Sequence, residues 1–66
     1  MNDTQSKLNN LLSYWLVHNR EHRAEFHEWA DKIAADQKDV AEQLRKAADK
    51  MAEADEYLKK AHTLLK

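Results

Sequence analysis

The 66-residue chain contains no cysteine, no glycine and no proline. Without cysteine it can form neither a disulfide nor a cysteine-ligated zinc site. Without glycine and proline it lacks the residues that tight turns between strands favour, so a β-sheet is not expected. A domain this small usually needs an additional source of stability. Close helix packing, self-association, or a metal bound by histidine and carboxylate are the sources that remain.

Neither sign of charge dominates, because 11 basic and 12 acidic residues give a net charge of -1. The two signs alternate along the chain, so no basic patch is available for phosphates and nucleic-acid binding is not expected. No apolar run approaches the ~20 residues of a membrane span. The first residues also lack the basic and apolar segments of a signal peptide. We therefore expect a cytoplasmic protein that binds neither nucleic acid nor membrane.

The second half of the sequence carries an unbroken heptad pattern. Its apolar residues alternate between spacings of four and three, and they are Val40, Leu44, Ala47, Met51, Ala54, Leu58, Ala61 and Leu65. Ala41 and Ala48 widen the strip of small residues. This pattern predicts a helix over about residues 39–66 with one apolar seam. Asp39 is followed three residues later by Glu42, which resembles a capping box, so we expect Asp39 to be the N-cap residue.

The first half carries a second apolar stripe, which predicts a helix over about residues 4–35. Its members are Leu8, Leu11, Trp15, His18, His22, Phe26, Trp29 and Ile33, and Leu12 and Ala30 widen it. The polar residues 36–38 predict a short turn, so the fold class is all-α, an antiparallel helical hairpin. A hairpin buries only one interface, so we expect two hairpins to dimerise into a four-helix bundle. Asn19 is also a good N-cap residue, and a three-helix monomer is therefore the alternative.

Two histidines one helical turn apart suggest a metal site. His18 and His22 lie on the apolar stripe and are neighbours on a helix surface. Antiparallel pairing about Gln37 brings Glu56 opposite His18, with Met51 and Asp55 close by. We therefore predict a site for Zn²⁺, Ni²⁺, Co²⁺ or Cu²⁺. Its candidate ligands are His18, His22, Met51, Asp55 and Glu56. In a dimer, two histidine pairs could instead share one site on the symmetry axis.

The alternative to metal binding is a structural role for these histidines. A buried polar residue can be satisfied by a carboxylate or a carbonyl group, and it can fix the register of packed helices. The other two histidines are expected elsewhere. His27 points to solvent. His62 lies on the flank of its seam, and it is either a cation at the C-terminal end of the helix or a surface residue.

Known catalytic and cofactor patterns fit this sequence poorly. Residues 18–22 spell H-x-x-E-H, but a zinc peptidase also needs a distant ligand and a cleft that two helices cannot form. A di-iron bundle needs Glu-x-x-His, which is missing. Haem ligation across a dimer is only a minor possibility, because haem would displace much of a small core. We predict a non-enzymatic module that self-associates; a protein-interaction module without a ligand is the alternative.

The segment from Trp15 to Trp29 resembles a pattern of small prokaryotic helical domains of uncharacterised function. That pattern is W-x-x-H-N-x-x-H-x-x-x-F-x-x-W, followed by an alanine-rich heptad helix. The resemblance implies the same helical fold and a joint role for His18, Asn19 and His22. It implies no particular activity.

Overall fold

The computed structural model describes residues 2–65, which form two helices joined by a short turn. Helix α1 is Asp3–Ile33 and helix α2 is Lys38–Leu64. They pack side by side in opposite directions, which confirms the all-α hairpin and gives a rod of 52 × 14 × 12 Å. Helix α1 continues through Asn19, so the three-helix alternative is wrong. Lys66, the expected last residue of the second helix, lies outside the described residues.

The two helices begin in different ways. At α1 the Asn2 side chain accepts a hydrogen bond from the Gln5 N–H at 2.8 Å, and the Gln5 side chain accepts one from the Asn2 N–H at 3.1 Å. This reciprocal pair is a capping box. Helix α2 begins one residue before the expected boundary, with Gln37 as its N-cap and no side-chain capping bond. The prediction that Asp39 caps this helix is wrong. Asp39 lies in the first turn, where its negative charge interacts favourably with the helix dipole.

The missing cap of α2 gives a first testable prediction. Gln37→Asp should raise the free energy of unfolding by about 0.5–1 kcal/mol, because aspartate can accept a hydrogen bond from the free N–H of Asp39 or Val40. Urea unfolding followed by circular dichroism measures the change. Gln43→Asp is the control, since Gln43 is an exposed interior residue of the same helix. There aspartate should be slightly destabilising, and equal effects at both positions would contradict the capping argument.

The helices contact each other along a seam that has heptad spacing on both sides. Among the described residues, the buried apolar side chains are Leu12, Ala30, Ala41 and Ala48. Half-buried residues continue the seam, and they are Asn9, Leu16, Asn19, Arg23, Phe26 and Ile33 on α1 and Leu44, Met51, Leu58, His62 and Leu65 on or next to α2. Alanine on both helices allows the backbones to approach closely, and buried Asp55 interrupts the apolar seam near its middle.

This seam is displaced from the predicted one. On α2 the large residues of the predicted seam are half-buried, but Ala47, Ala54 and Ala61 are exposed, and the residues that follow them face α1 instead. On α1 the predicted stripe is mostly exposed, including Trp15 at 38% and Trp29 at 56%. On α2 the two neighbouring stripes share all four of these large residues, so spacing alone did not distinguish them. On α1 the two stripes share only Phe26 and Ile33, apart from Leu12 and Ala30, which widen the predicted one. The chain folds on the stripe that contains the smaller and more polar residues.

Two exposed rows therefore run beside the seam. The bulky row of α1 consists of Leu8, Trp15, His22 and Trp29, and the alanine row of α2 consists of Val40, Ala47, Ala54 and Ala61. Members of each row are seven residues apart, and each directly precedes a residue of the seam. Because the helices are antiparallel, positions that precede the seam on both helices fall on the same side of the hairpin. We call this side the outer face.

Candidate functional site

A polar cluster lies at the middle of the seam, around the carboxylate of Asp55. This side chain is 2% exposed. Asn19 Nδ2 donates a hydrogen bond to Asp55 Oδ1 at 2.8 Å. Arg23 Nε lies 3.2 Å from Asp55 Oδ2, which is close enough for an ion pair although the two groups are not aligned as a hydrogen bond. One amide and one guanidinium thus compensate the buried charge, as a buried carboxylate requires.

A second polar contact joins the far ends of the helices. His62 Nε2 lies 2.9 Å from Asn9 Oδ1 and 3.5 Å from Ser13 Oγ. His62 lies in the last turn of α2, as predicted, but it is half-buried in the seam and not fully at the surface. Near the turn, Arg45 pairs with Asp31 at 2.9 Å. The Asn19–Asp55 contact lies on the antiparallel pairing about Gln37 that the sequence predicted.

His18 and His22 lie on the outer side of α1, in a column of four rings. Ring centroids are 4.4 Å apart from Tyr14 to His18, 5.6 Å from His18 to His22, and 6.2 Å from His22 to Phe26. His18 is half-buried and His22 is exposed. In a single chain, His22 is therefore outside the core in which the sequence located it. The neighbouring rings restrict both imidazoles to the same side of the helix.

The other candidate ligands have surroundings of their own. Asp55 is held by Asn19 and Arg23, and Met51 is half-buried in the seam. Glu56 is exposed, and its Oε1 lies 3.3 Å from Lys59 Nζ. Between residues 2 and 65, no group of three or more His, Cys, Asp or Glu side chains is positioned to hold a metal ion. At His18 and His22, one chain thus supplies two adjacent nitrogen ligands.

Sequence reasoning missed the polar residues of the seam, although a signal for them existed. Asn9, Asn19 and Arg23 fit the same heptad spacing as Leu12 and Leu16. Amides and an arginine do not stand out as core residues in an apolar pattern. With amides and paired charges included at seam positions, heptad spacing indicates the stripe on which the chain folds.

The fold and site define this chain as a small helical hairpin with one solvated apolar face. It belongs to the family described as "Domain of unknown function (DUF8180)", whose model matches residues 8–65. An uncharacterized protein of Archaeoglobus fulgidus is 46% identical over 55 residues, which cover 83% of this chain and 89% of that relative. Neither match indicates an enzymatic family. The histidine pattern between Trp15 and Trp29, as a signature of the family, stays a prediction.

No solved structure matches the chain. Within residues 2–65, neither helix has a stretch long and apolar enough to cross a membrane.

Proposed function

We propose that this protein is a helical module that self-associates, and that two copies pack through their outer faces into a four-helix bundle. The observation that carries this proposal is the combination of a bulky row and an alanine row on one solvated face. Three observations support a second copy of the chain as the partner. They are the small core of the single hairpin, the area of the outer face, and the internal symmetry of that face.

The single hairpin has a very small core. Leu12 and three alanines are its buried apolar side chains among residues 2–65, and the largest fully buried side chain is that of Asp55. Burial of apolar surface is the main favourable contribution to folding, and alanine contributes little of it. Chains of this size commonly gain the remaining stability by association. Burial of Leu8, Trp15 and Trp29 on the outer face would supply it here.

The outer face has the dimensions of a stable interface. The rod measures 52 × 14 × 12 Å between Cα atoms, so a broad face covers on the order of 700 Å² before side chains are counted, near the roughly 800 Å² per partner of a standard interface. Leu8 is 38% exposed and Val40 is 44% exposed. The net charge of -1 creates little repulsion between two copies.

The outer face is also symmetric about its own midpoint. Trp15 and Trp29 lie one heptad to either side of His22, and Ala47 and Ala61 lie one heptad to either side of Ala54. Asp55 contacts both Asn19 and Arg23, so the adjacent Ala54 lies at the level of His22. A two-fold axis through this level places each row of one copy opposite the same row of the other copy, in antiparallel orientation. A two-fold homodimer requires such self-complementarity.

Sedimentation equilibrium and thermal melting over a hundredfold range of protein concentration test this proposal. We expect a dimer whose melting temperature rises with concentration, because association stabilises only the folded chains. A monomer that melts cooperatively at the same temperature throughout would contradict self-association. That result would favour the alternative function, in which the outer face docks a helix of a different protein.

A further inference from the structure

We infer that the dimer binds one divalent transition-metal ion between two histidine pairs, His18 and His22 from each copy. This inference rests on the proposed function, because one chain offers only two of the ligands. It adds a ligand, a stoichiometry and a geometry to the interface. The ion would lie at the midpoint of the outer face, where the α1 helices of the two copies meet in antiparallel orientation.

The two imidazoles are already arranged as a pair of ligands. They are one helical turn apart, with ring centroids separated by 5.6 Å, and Tyr14 and Phe26 pack against them from either side. His22 lies at the midpoint of the outer face, and His18, one turn away, is the central residue of Asp3–Ile33. A two-fold axis that crosses α1 at this turn therefore brings the pair of one copy beside the pair of the other. A pair near either end of the helix would be separated from its symmetry mate.

In the dimer, the surroundings of the pair leave room for an ion, and the buried imidazoles need a polar partner. At the same level, α2 contributes the small residue Ala54 to the outer face. Trp15 and Trp29 lie one heptad away on either side, and they would exclude water from the imidazoles in the dimer. A buried polar group without a partner is unfavourable. A bound metal ion provides that partner for all four rings.

Four neutral imidazoles form a nitrogen-only ligand set, which suits Zn²⁺ in tetrahedral coordination and also Co²⁺, Ni²⁺ or Cu²⁺. The site needs neither Met51 nor Glu56, and it leaves Asp55 with Asn19 and Arg23. This ligand set differs from the five-residue set that the sequence predicted, because the missing ligands come from a second copy.

Native mass spectrometry of chelator-stripped protein titrated with Zn²⁺ tests this site. We expect one Zn²⁺ ion per dimer, and we expect Co²⁺ to produce the intense visible absorption of a tetrahedral complex. His18→Ala and His22→Ala should each abolish uptake, while His27→Ala, a change at an exposed histidine of the same helix, should bind the ion as the unchanged chain does. If an alanine variant loses helicity, His22→Gln replaces it, because glutamine is a good helix former.

The failure of the metal site and the failure of the dimer give different results. A dimer that takes up no Zn²⁺ would overturn the metal inference and leave self-association intact. A monomer at every concentration, with or without Zn²⁺, would overturn both. One ion per chain, or uptake unchanged in His18→Ala, would contradict a shared four-histidine site.

Disulfide cross-linking between introduced cysteines tests the position of the two-fold axis on which the inference depends. The chain has no cysteine, so Ala54→Cys introduces a single thiol at the level of His22. With the two α1 helices in contact, the two α2 helices also meet in antiparallel orientation, and the thiol at position 54 should form an interchain disulfide rapidly. Asp49→Cys, at an exposed position away from the outer face, should cross-link slowly. Equal rates would contradict this arrangement.

Discussion

Replacing Asp55 with alanine should lower the free energy of unfolding by about 2–4 kcal/mol, a large share of the stability of so small a chain. The variant removes the carboxylate that holds Asn19 and Arg23 at the middle of the seam. It leaves an amide without its acceptor and a guanidinium without its counter-charge, and it opens a small cavity. The Arg23 side chain is 30% exposed, so water compensates part of this loss.

Urea unfolding at one fixed protein concentration measures the effect of Asp55→Ala. Asp49→Ala is the matched control, because it removes the same side chain from an exposed position of the same helix. It should change the free energy of unfolding by no more than about 0.5 kcal/mol. If both variants unfold at the same urea concentration, the polar cluster does not stabilise the hairpin.

Trp29→Glu should weaken the dimer by about 3 kcal/mol, which corresponds to a Kd more than a hundredfold higher. Trp29 is the most exposed tryptophan, at 56%, and it lies in the bulky row. In the proposed dimer, glutamate would remove a large apolar contact and bury a charge. The hairpin itself should remain folded, since Trp29 contributes little to the seam. The introduced carboxylate could also pair with Lys32, whose Nζ now lies 4.6 Å from the centre of the tryptophan ring.

Val17→Glu is the control for the outer face. Val17 is 47% exposed on α1, but it lines a hollow with Arg20 and Lys59 on the other side of the hairpin. A carboxylate there faces positive charge and should leave the Kd within a few-fold of the original value. Sedimentation equilibrium gives both constants, and circular dichroism verifies helicity. Similar dimer affinities for the two variants would contradict an interface at the bulky row.

Much of the fold could be predicted because it follows from composition and spacing. The lack of glycine and proline favoured helices, and the short polar segment before α2 required an antiparallel pair. Pairing about Gln37 also predicted the register, and Asn19 and Asp55 are in contact at that register. The N-cap of α2 was not predictable in the same way. Gln37 and Asp39 are only two residues apart in the chain, and a capping pattern does not specify which residue has the non-helical backbone of an N-cap.

The choice of seam could not be predicted from apolar spacing. Each helix has two adjacent stripes that share residues such as Leu44 and Phe26. Both stripes of α2 satisfy the heptad rule, whereas the predicted stripe of α1 is offset by one residue between His22 and Phe26. The stripe richer in tryptophan looked more like a core. The chain uses the other, because alanines allow close approach and because Asp55 finds partners there. The adjacency of His18 and His22 follows from helix geometry alone, whereas the role of Asp55 depends on the tertiary pairing.

The Asn19–Asp55–Arg23 cluster makes one alignment of the two helices unique. Apolar contacts that repeat every seven residues are nearly unchanged when one helix slides by a heptad along the other. The cluster is not periodic in this way. After such a slide, Asp55 would face Leu12 and Leu16 in one direction, or Phe26 and Ala30 in the other, and its charge would be buried without compensation. Contacts between leucines and alanines thus allow several offsets between the two helices. The buried charge of a single aspartate makes all but one of these offsets unfavourable.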